Sequence, residues 1–144
     1  MIRIQQIMVP VDFSAPSKTA VNYGLSLALE FKAGLVLVHI APFDTDSYEK
    51  AKIHLMDLVP PELRERLHLE TIVKAGDVRD EVLAIANEKA IDLVVMGSHG
   101  RGYLERMVLG SVTERMLRKL PVPVLTVSHL DNARMIRRRG IVPL

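Results

Sequence analysis

Short aliphatic runs alternate with longer amphipathic stretches along most of the chain. Between these runs, apolar residues recur at the spacing of a helix face, most clearly at Val21, Leu25, Ala28 and Leu29. Strands that alternate with helices at these lengths predict an α/β fold with a parallel, doubly wound sheet. The predicted strands span residues 7–11, 35–40, 68–73, 92–97 and 124–127, and the predicted helices follow residue 14, span 48–58 and 62–67, follow residue 76 and span 111–120.

Local signals mark several ends of these elements. Ser14 is an N-cap candidate with Pro16 in the first helical turn, where a missing N–H costs little, and Gly34 is the predicted stop. Asp80 lies in the first turn of the helix that opens at 76–77, where its charge favours the helix dipole. The third strand alternates polar and apolar residues, which predicts a position near the sheet edge.

Length and composition indicate one globular domain. The 144 residues are 49% hydrophobic and 25% charged, as in ordinary soluble proteins. No apolar run approaches the roughly 18 residues that a membrane span needs, and the N-terminus lacks the pattern of a signal peptide. Without cysteine, disulfides and thiolate chemistry are excluded. We therefore expect a cytoplasmic protein that does not insert into membranes.

The net positive charge of the chain is concentrated in its last fifteen residues, 130–144. Four arginines and one aspartate give residues 130–144 a net charge of +3, which leaves −1 for the rest of a chain whose total is +2. That near-neutral body, with three Tyr, three Phe and no Trp, argues against a nucleic-acid-binding surface. The basic tail is either a solvated end or a segment that binds the partner subunit or an acidic surface of another protein.

A glycine-rich stretch follows the fourth strand. Gly97, Gly100 and Gly110 lie between a buried strand and a predicted helix start, an arrangement that can hold an anion against free backbone N–H groups. The spacing is neither the dinucleotide fingerprint nor the phosphate loop that ends in Gly-Lys-Ser/Thr. Ser111 and Glu114 form a capping box, so a purely structural interpretation stays open beside the phosphate-binding one.

Polar and glycine residues also follow strand ends where ligands bind in such sheets. Asp12 comes after the first strand and Gly97 ends the fourth, and ligands bind beyond the carboxyl ends of strands where strand order reverses. If these strands are neighbours, the two residues face one crevice. Asp12 can then accept a hydrogen bond from a ribose or an amide, or it can cap the following helix.

Four stretches taken together resemble the universal stress protein family. They are Ile-Met-Val-Pro-Val-Asp-Phe-Ser at 7–14, Val-His-Ile at 38–40, Gly97-x2-Gly100-x9-Gly110-Ser111, and Pro-Val-Pro-Val-Leu-Thr-Val at 121–127. The resemblance covers residues 4–128, so we take 1–128 as the universal stress protein domain and 129–144 as a basic C-terminal tail. It implies a Rossmann-like, adenine nucleotide alpha hydrolase-like fold with helices on both faces of a five-stranded parallel sheet of order 3-2-1-4-5.

The resemblance also implies a ligand and a set of contacts. Members that keep this loop bind ATP, with Mg²⁺ held by the phosphates, and form homodimers, here through strand 124–127. The residues that would border adenine and ribose are Pro10, Val11, Asp12 and Ile40. Those that would wrap the ribose and phosphates are Met96, Gly97, His99, Gly100, Arg101 and Gly102. Those that would donate to the phosphates are Gly110, Ser111, Val112 and Thr113.

Catalysis has weaker support in the sequence than binding. Within the implied site the titratable candidates are Asp12, His99 and Arg101, with no evident nucleophile, and the His-x-Gly-His signature of related adenylyl-transferring families is absent. The histidines elsewhere lack metal-ligand spacing and are interpreted as packing or surface residues. The two functions carried forward are an ATP-binding regulatory or sensor dimer of the stress response and a slow ATP-hydrolysing or adenylyl-transferring enzyme.

Overall fold

The five aliphatic runs form one parallel sheet, and its strand order β3-β2-β1-β4-β5 is the predicted one. The computed structural model describes residues 1–41, 45–97 and 118–127. The strands are β1 (Gln6–Pro10), β2 (Gly34–Ala41), β3 (Glu70–Ala75), β4 (Leu93–Gly97) and β5 (Val124–Val127). The helices are α1 (Ala15–Phe31), α2 (Thr45–Asp57), α3 (Pro61–Arg64) and α4 (Val78–Glu88). None of the helices within these ranges combines the length and apolarity that crossing a membrane requires.

Alternate residues of the central strands bury themselves in two separate cores. Ile7 and Val9 of β1 pack with α1 and α2 on one face of the sheet, whereas Met8 packs with α4 on the other. Because side chains alternate across a strand, a strand covered on both faces must be apolar where it is covered, as β1 is from Ile7 to Pro10. The predicted placement of helices on both faces is confirmed.

Helix α1 begins as predicted and ends differently. Ser14 is its N-cap, and its side chain accepts a hydrogen bond from the Ser17 backbone N–H. The C-cap is Lys32, which takes the left-handed conformation (φ 54°), so Gly34 is not the stop. Gly34 instead starts β2, where a Cβ would lie 2.6 Å from the Gln6 side-chain oxygen.

Strand β3 starts two residues later than predicted. The turn after α3 continues through His68, whose φ is 45° and whose N–H bonds to the Glu65 carbonyl oxygen at 3.0 Å. A residue in that conformation cannot extend a strand. All six residues of β3 are half-buried, which confirms its position at the edge of the sheet.

The carboxyl end of β4 lies against the first turn of α1. A Cβ at Gly97 would lie 2.7 Å from the Pro16 carbonyl carbon and 2.9 Å from its carbonyl oxygen. A contact that short with backbone atoms cannot be relieved by rotating a side chain. Packing alone therefore requires glycine at the end of β4.

We expect Gly97→Ala to lower the free energy of unfolding by about 1–3 kcal/mol, the usual cost of overpacking. Urea denaturation measures this loss. The matched control is Gly34→Ala, whose Cβ would meet only the mobile end of the Gln6 side chain and should cost clearly less. Equal losses in both variants would contradict a backbone clash at Gly97.

Helix α4 provides a pH-dependent test of capping. The Asp77 carboxylate accepts hydrogen bonds from the backbone N–H groups of Arg79 and Asp80. The hydrogen bond from the Arg79 side chain is the main cause that lowers the pKa of Asp77. A lowered pKa means that this carboxylate stabilises the fold above its unfolded pKa of about 3.9, and that the contribution is lost as pH falls through the folded value.

Asp77→Ala should therefore cost about 0.5–2 kcal/mol at neutral pH, the usual range for losing an N-cap. The difference from wild type should shrink as the pH is lowered below about 4. Asp77→Asn keeps a capping acceptor and should cost less at neutral pH. Chemical denaturation at several pH values measures both, and a wild-type-to-Ala difference that stays constant down to pH 2 is the contrary result.

Candidate functional site

Six of the predicted site residues lie at neighbouring strand ends. Because β2, β1 and β4 are adjacent and parallel, their carboxyl ends meet at one edge of the sheet. Strand order reverses at β1, with β2 on one side and β4 on the other, so this is the switch point at which such sheets form a crevice. The residues found there are Pro10, Val11, Asp12, Ile40, Met96 and Gly97.

The backbone at the end of β2 extends past the end of β1. Val11 donates its N–H to the Val38 carbonyl oxygen at 2.7 Å, just beyond the last paired residue of β1, Pro10. In a parallel strand, every second residue directs its N–H and C=O to the same neighbour. The next such residue of β2 is Ile40, so its N–H and C=O are directed past the end of β1. The Ile40 side chain itself is 5% exposed and belongs to the core beside α4.

A hydrogen-bonded turn connects β1 to α1. One carboxylate oxygen of Asp12, Oδ1, accepts from the Ser14 backbone N–H at 3.0 Å and from the Ser14 hydroxyl. Ser14 in turn caps α1, so Asp12 supports the capping residue and is not itself the cap. Phe13, between them, has φ 63°, a left-handed conformation that is uncommon for a residue of this size.

The second carboxylate oxygen of Asp12 is the unusual atom of this turn. Oδ2 is buried and has no hydrogen-bond partner within the part of the chain that the structure describes. Buried polar atoms are nearly always hydrogen-bonded, because leaving one unpaired is costly. The arrangement therefore suits a ligand that donates a hydrogen bond at the end of β1.

Two ring contacts were not anticipated from the sequence. The His39 Nδ1 atom lies 2.7 Å from the Val11 carbonyl oxygen, and the His39 ring packs against Phe13 with centroids 4.8 Å apart. His54 of α2 meets the same phenyl ring edge-on at 5.7 Å. For His39 the available signal is a polar residue inside an otherwise apolar strand, which from the sequence alone is interpreted as a packing or surface residue.

The other predicted site residues lie outside the described residues, as do the tail 129–144 and most of the helix predicted over 111–120. The predicted site residues outside the described ranges are His99, Gly100, Arg101, Gly102, Gly110, Ser111, Val112 and Thr113. The segment that carries them starts directly after Gly97. Gly97 itself lies beside the first turn of α1, next to Pro16.

Comparison with known proteins gives the same fold and one family. The sequence matches the universal stress protein family over residues 3–128. It is 30% identical over 138 residues to the universal stress protein MJ0531 of Methanocaldococcus jannaschii, an alignment covering 85% of this chain and 81% of that protein.

Solved structures support the fold. The structure of hypothetical protein MJ0577, from the same organism, aligns with a TM-score of 0.71 at 24% identity, covering 88% of this chain and 97% of that one. A universal stress protein solved in complex with cAMP aligns with a TM-score of 0.68 at 23% identity, covering 88% and 98%. With most of its length matched, this chain belongs to the universal stress protein family.

Proposed function

We propose that this protein binds ATP at the carboxyl ends of β1, β2 and β4 and acts as a nucleotide-dependent regulatory or sensor dimer in the stress response. The observation that carries the proposal is the buried Asp12 Oδ2, which has no hydrogen-bond partner in the described ranges and lies at the switch point of the sheet. A ribose hydroxyl is a donor of the kind that this oxygen needs. The cAMP complex of a structural neighbour supports an adenine nucleotide as the ligand class.

The end of β2 suits the base of the same ligand. Adenine presents an amino donor next to a ring-nitrogen acceptor, and a peptide C=O and N–H directed the same way complement that pair. By strand geometry Ile40 would direct such a pair beyond Pro10, the last paired residue of β1, while Val11 and Met96 near the ends of β1 and β4 are buried and apolar. The base would thus contact the end of β2 and the ribose the turn after β1.

The phosphates and their metal ion are proposed to lie at the segment after β4. Residues 99–102 and 110–113 would wrap the phosphates, with backbone N–H groups and the hydroxyls of Ser111 and Thr113 as donors. Mg²⁺ would be held chiefly by phosphate oxygens. Gly97, the residue before this segment, lies beside the N-terminus of α1, a region of positive dipole potential that suits phosphate.

The dimer is proposed to form through β5. This strand is short and lies at the edge of the sheet, and Leu125 is 38% exposed on it. An exposed apolar edge strand favours pairing with another strand. We further propose a cytoplasmic location and a contact between the basic tail 129–144 and a partner protein, since clustered arginines suit an acidic surface.

The ATP site is tested by Asp12→Asn. The carbonyl oxygen of the new amide can still accept from the Ser14 N–H, so the turn is kept, but a donor replaces the free Oδ2 acceptor. ATP affinity measured by titration calorimetry with Mg²⁺ should fall by about 1–3 kcal/mol, the range for leaving a buried polar group unpaired.

The matched control is Asp92→Asn. Asp92 accepts from the backbone N–H groups of Gln5 and Gln6 at the amino ends of β1 and β4, far from the carboxyl ends, so this variant should bind ATP like wild type. A wild type that binds none of ATP, AMP and cAMP at millimolar concentration would refute the proposed function. Equal losses in both variants would show a general effect on folding.

The dimer is tested by Leu125→Arg. Analytical ultracentrifugation of wild type at micromolar concentration should show a dimer, and the charge on β5 should raise its dissociation constant at least about tenfold, or about 1.4 kcal/mol. Ile53→Arg is the matched control, because Ile53 is 59% exposed on α2, away from β5. A monomeric wild type, or a dimer that Leu125→Arg does not weaken, argues against this interface.

A further inference from the structure

The contact between His39 and Val11 determines the state of the histidine ring. Nδ1 lies 2.7 Å from the Val11 carbonyl oxygen, and a carbonyl oxygen can only accept. Nδ1 must therefore carry a proton and donate a hydrogen bond to this oxygen. In the neutral ring the other nitrogen, Nε2, is then the unprotonated one.

This hydrogen bond holds the residue immediately before Asp12. The Val11 N–H donates to the Val38 carbonyl oxygen at 2.7 Å, and the Val11 carbonyl oxygen accepts from His39. Both polar backbone groups of Val11 are thus bonded to β2, one to its main chain and one to a side chain. These two hydrogen bonds fix the orientation of the Val11 backbone where the chain leaves β1.

The same ring also packs against the strained part of the turn. Phe13 has φ 63°, and a residue held in the left-handed region depends on its surroundings to stay there. Its phenyl ring lies 4.8 Å from His39 and 5.7 Å from His54, centroid to centroid. His39 therefore contacts the turn on both sides of Asp12, by a hydrogen bond to Val11 and by ring packing on Phe13.

We propose that His39 is a positioning residue for the nucleotide site. It holds the turn 11–14 so that Asp12 Oδ1 bonds to Ser14 while Oδ2 remains directed to the ribose. This inference rests on the proposed ATP function for its ligand and goes beyond it, because His39 acts through Val11 and Phe13 without touching the nucleotide. If His39 has this role, removing its hydrogen bond should weaken the recognition of the ribose hydroxyls in particular. A general structural role would instead weaken every nucleotide to the same extent.

Three substitutions separate the hydrogen bond from the shape of the ring. His39→Asn places an amide N–H close to the position of Nδ1 and should keep the bond. His39→Leu removes the donor at similar volume, and His39→Gln carries its amide one bond farther out, near the position of Nε2 instead of Nδ1. His54→Leu is the matched control, since His54 packs on the same Phe13 ring but has no hydrogen bond to the turn in the described structure.

The first measurement compares ATP with 2′,3′-dideoxy-ATP by titration calorimetry. Wild type, His39→Asn and His54→Leu should each prefer ATP about tenfold or more, the cost of leaving Asp12 Oδ2 unpaired. In His39→Leu and His39→Gln the preference should fall to about threefold or less, because Oδ2 is no longer held towards the hydroxyls. A merely structural role would weaken both ligands equally and leave the ratio unchanged, which would overturn the inference while ATP binding stood.

The second measurement needs no nucleotide, so it separates this inference from the proposed function. Nitrogen chemical shifts should show His39 of wild type protonated at Nδ1, and the Ser14 amide, bonded to Asp12 Oδ1, should be protected from hydrogen exchange. We expect at least about tenfold faster exchange at Ser14 in His39→Leu and His39→Gln than in His39→Asn. Equal exchange in all variants, or His39 protonated only at Nε2, overturns the inference even in a protein that binds ATP.

The result that would refute the proposed ATP site differs from the result that would refute the role of His39. A wild type that binds no nucleotide refutes the ATP site, and with it the part of the inference that concerns ribose. The exchange measurement then still decides whether His39 holds the turn. His39→Gln keeps the test decisive if His39→Leu does not fold, because it is predicted to give the same result with a polar side chain.

Discussion

The parallel pairing of β1 on both sides is the constraint on which the rest of the structure depends. β1 bonds to β2 and β4, and its residues 7–9 are fully buried under helices on both faces. A strand so enclosed cannot carry polar side chains within the sheet, so polar chemistry begins only where the strand ends. At that point the chain must reverse within four residues to start α1, and the turn 11–14 makes that reversal.

The two carboxylate oxygens of Asp12 differ in their hydrogen bonding within that turn. Oδ1 bonds to Ser14, which caps α1, so one carboxylate oxygen is committed to the fold. Oδ2 is buried without a hydrogen-bond partner among the described residues and is the atom left for a ligand. Gly97 differs in this respect, because its contact with Pro16 requires glycine whether or not a nucleotide binds. The candidate site therefore draws its support from Asp12 and the end of β2 more than from that glycine.

Sequence patterns predicted the fold better than they predicted the site. The alternation of strands and helices was readable because burial on two faces imposes an apolar run, and the order 3-2-1-4-5 came from the family resemblance. Boundaries that depend on one residue's conformation were not readable: Lys32 and His68 take left-handed conformations for which a sequence gives little warning. His39 was missed because its role depends on a carbonyl 28 residues earlier in the chain, a contact that only the strand register creates.

The two edges of the sheet differ in charge, which bears on the proposed dimer. β3 carries Glu70 and Lys74, which form ion pairs with Lys89 and with the glutamates of α4. The carboxylate of Glu70, 2.6 Å away, raises the pKa of Lys89 and so favours the charged form of that side chain beside β3. Charges along an edge strand oppose pairing with another chain.

β5 has only Val, Leu, Thr and Val, with Leu125 and Thr126 exposed and no charged side chain in the strand itself. The contrast favours β5 as the edge for the proposed dimer, and β4 separates that edge from the carboxyl end of β1.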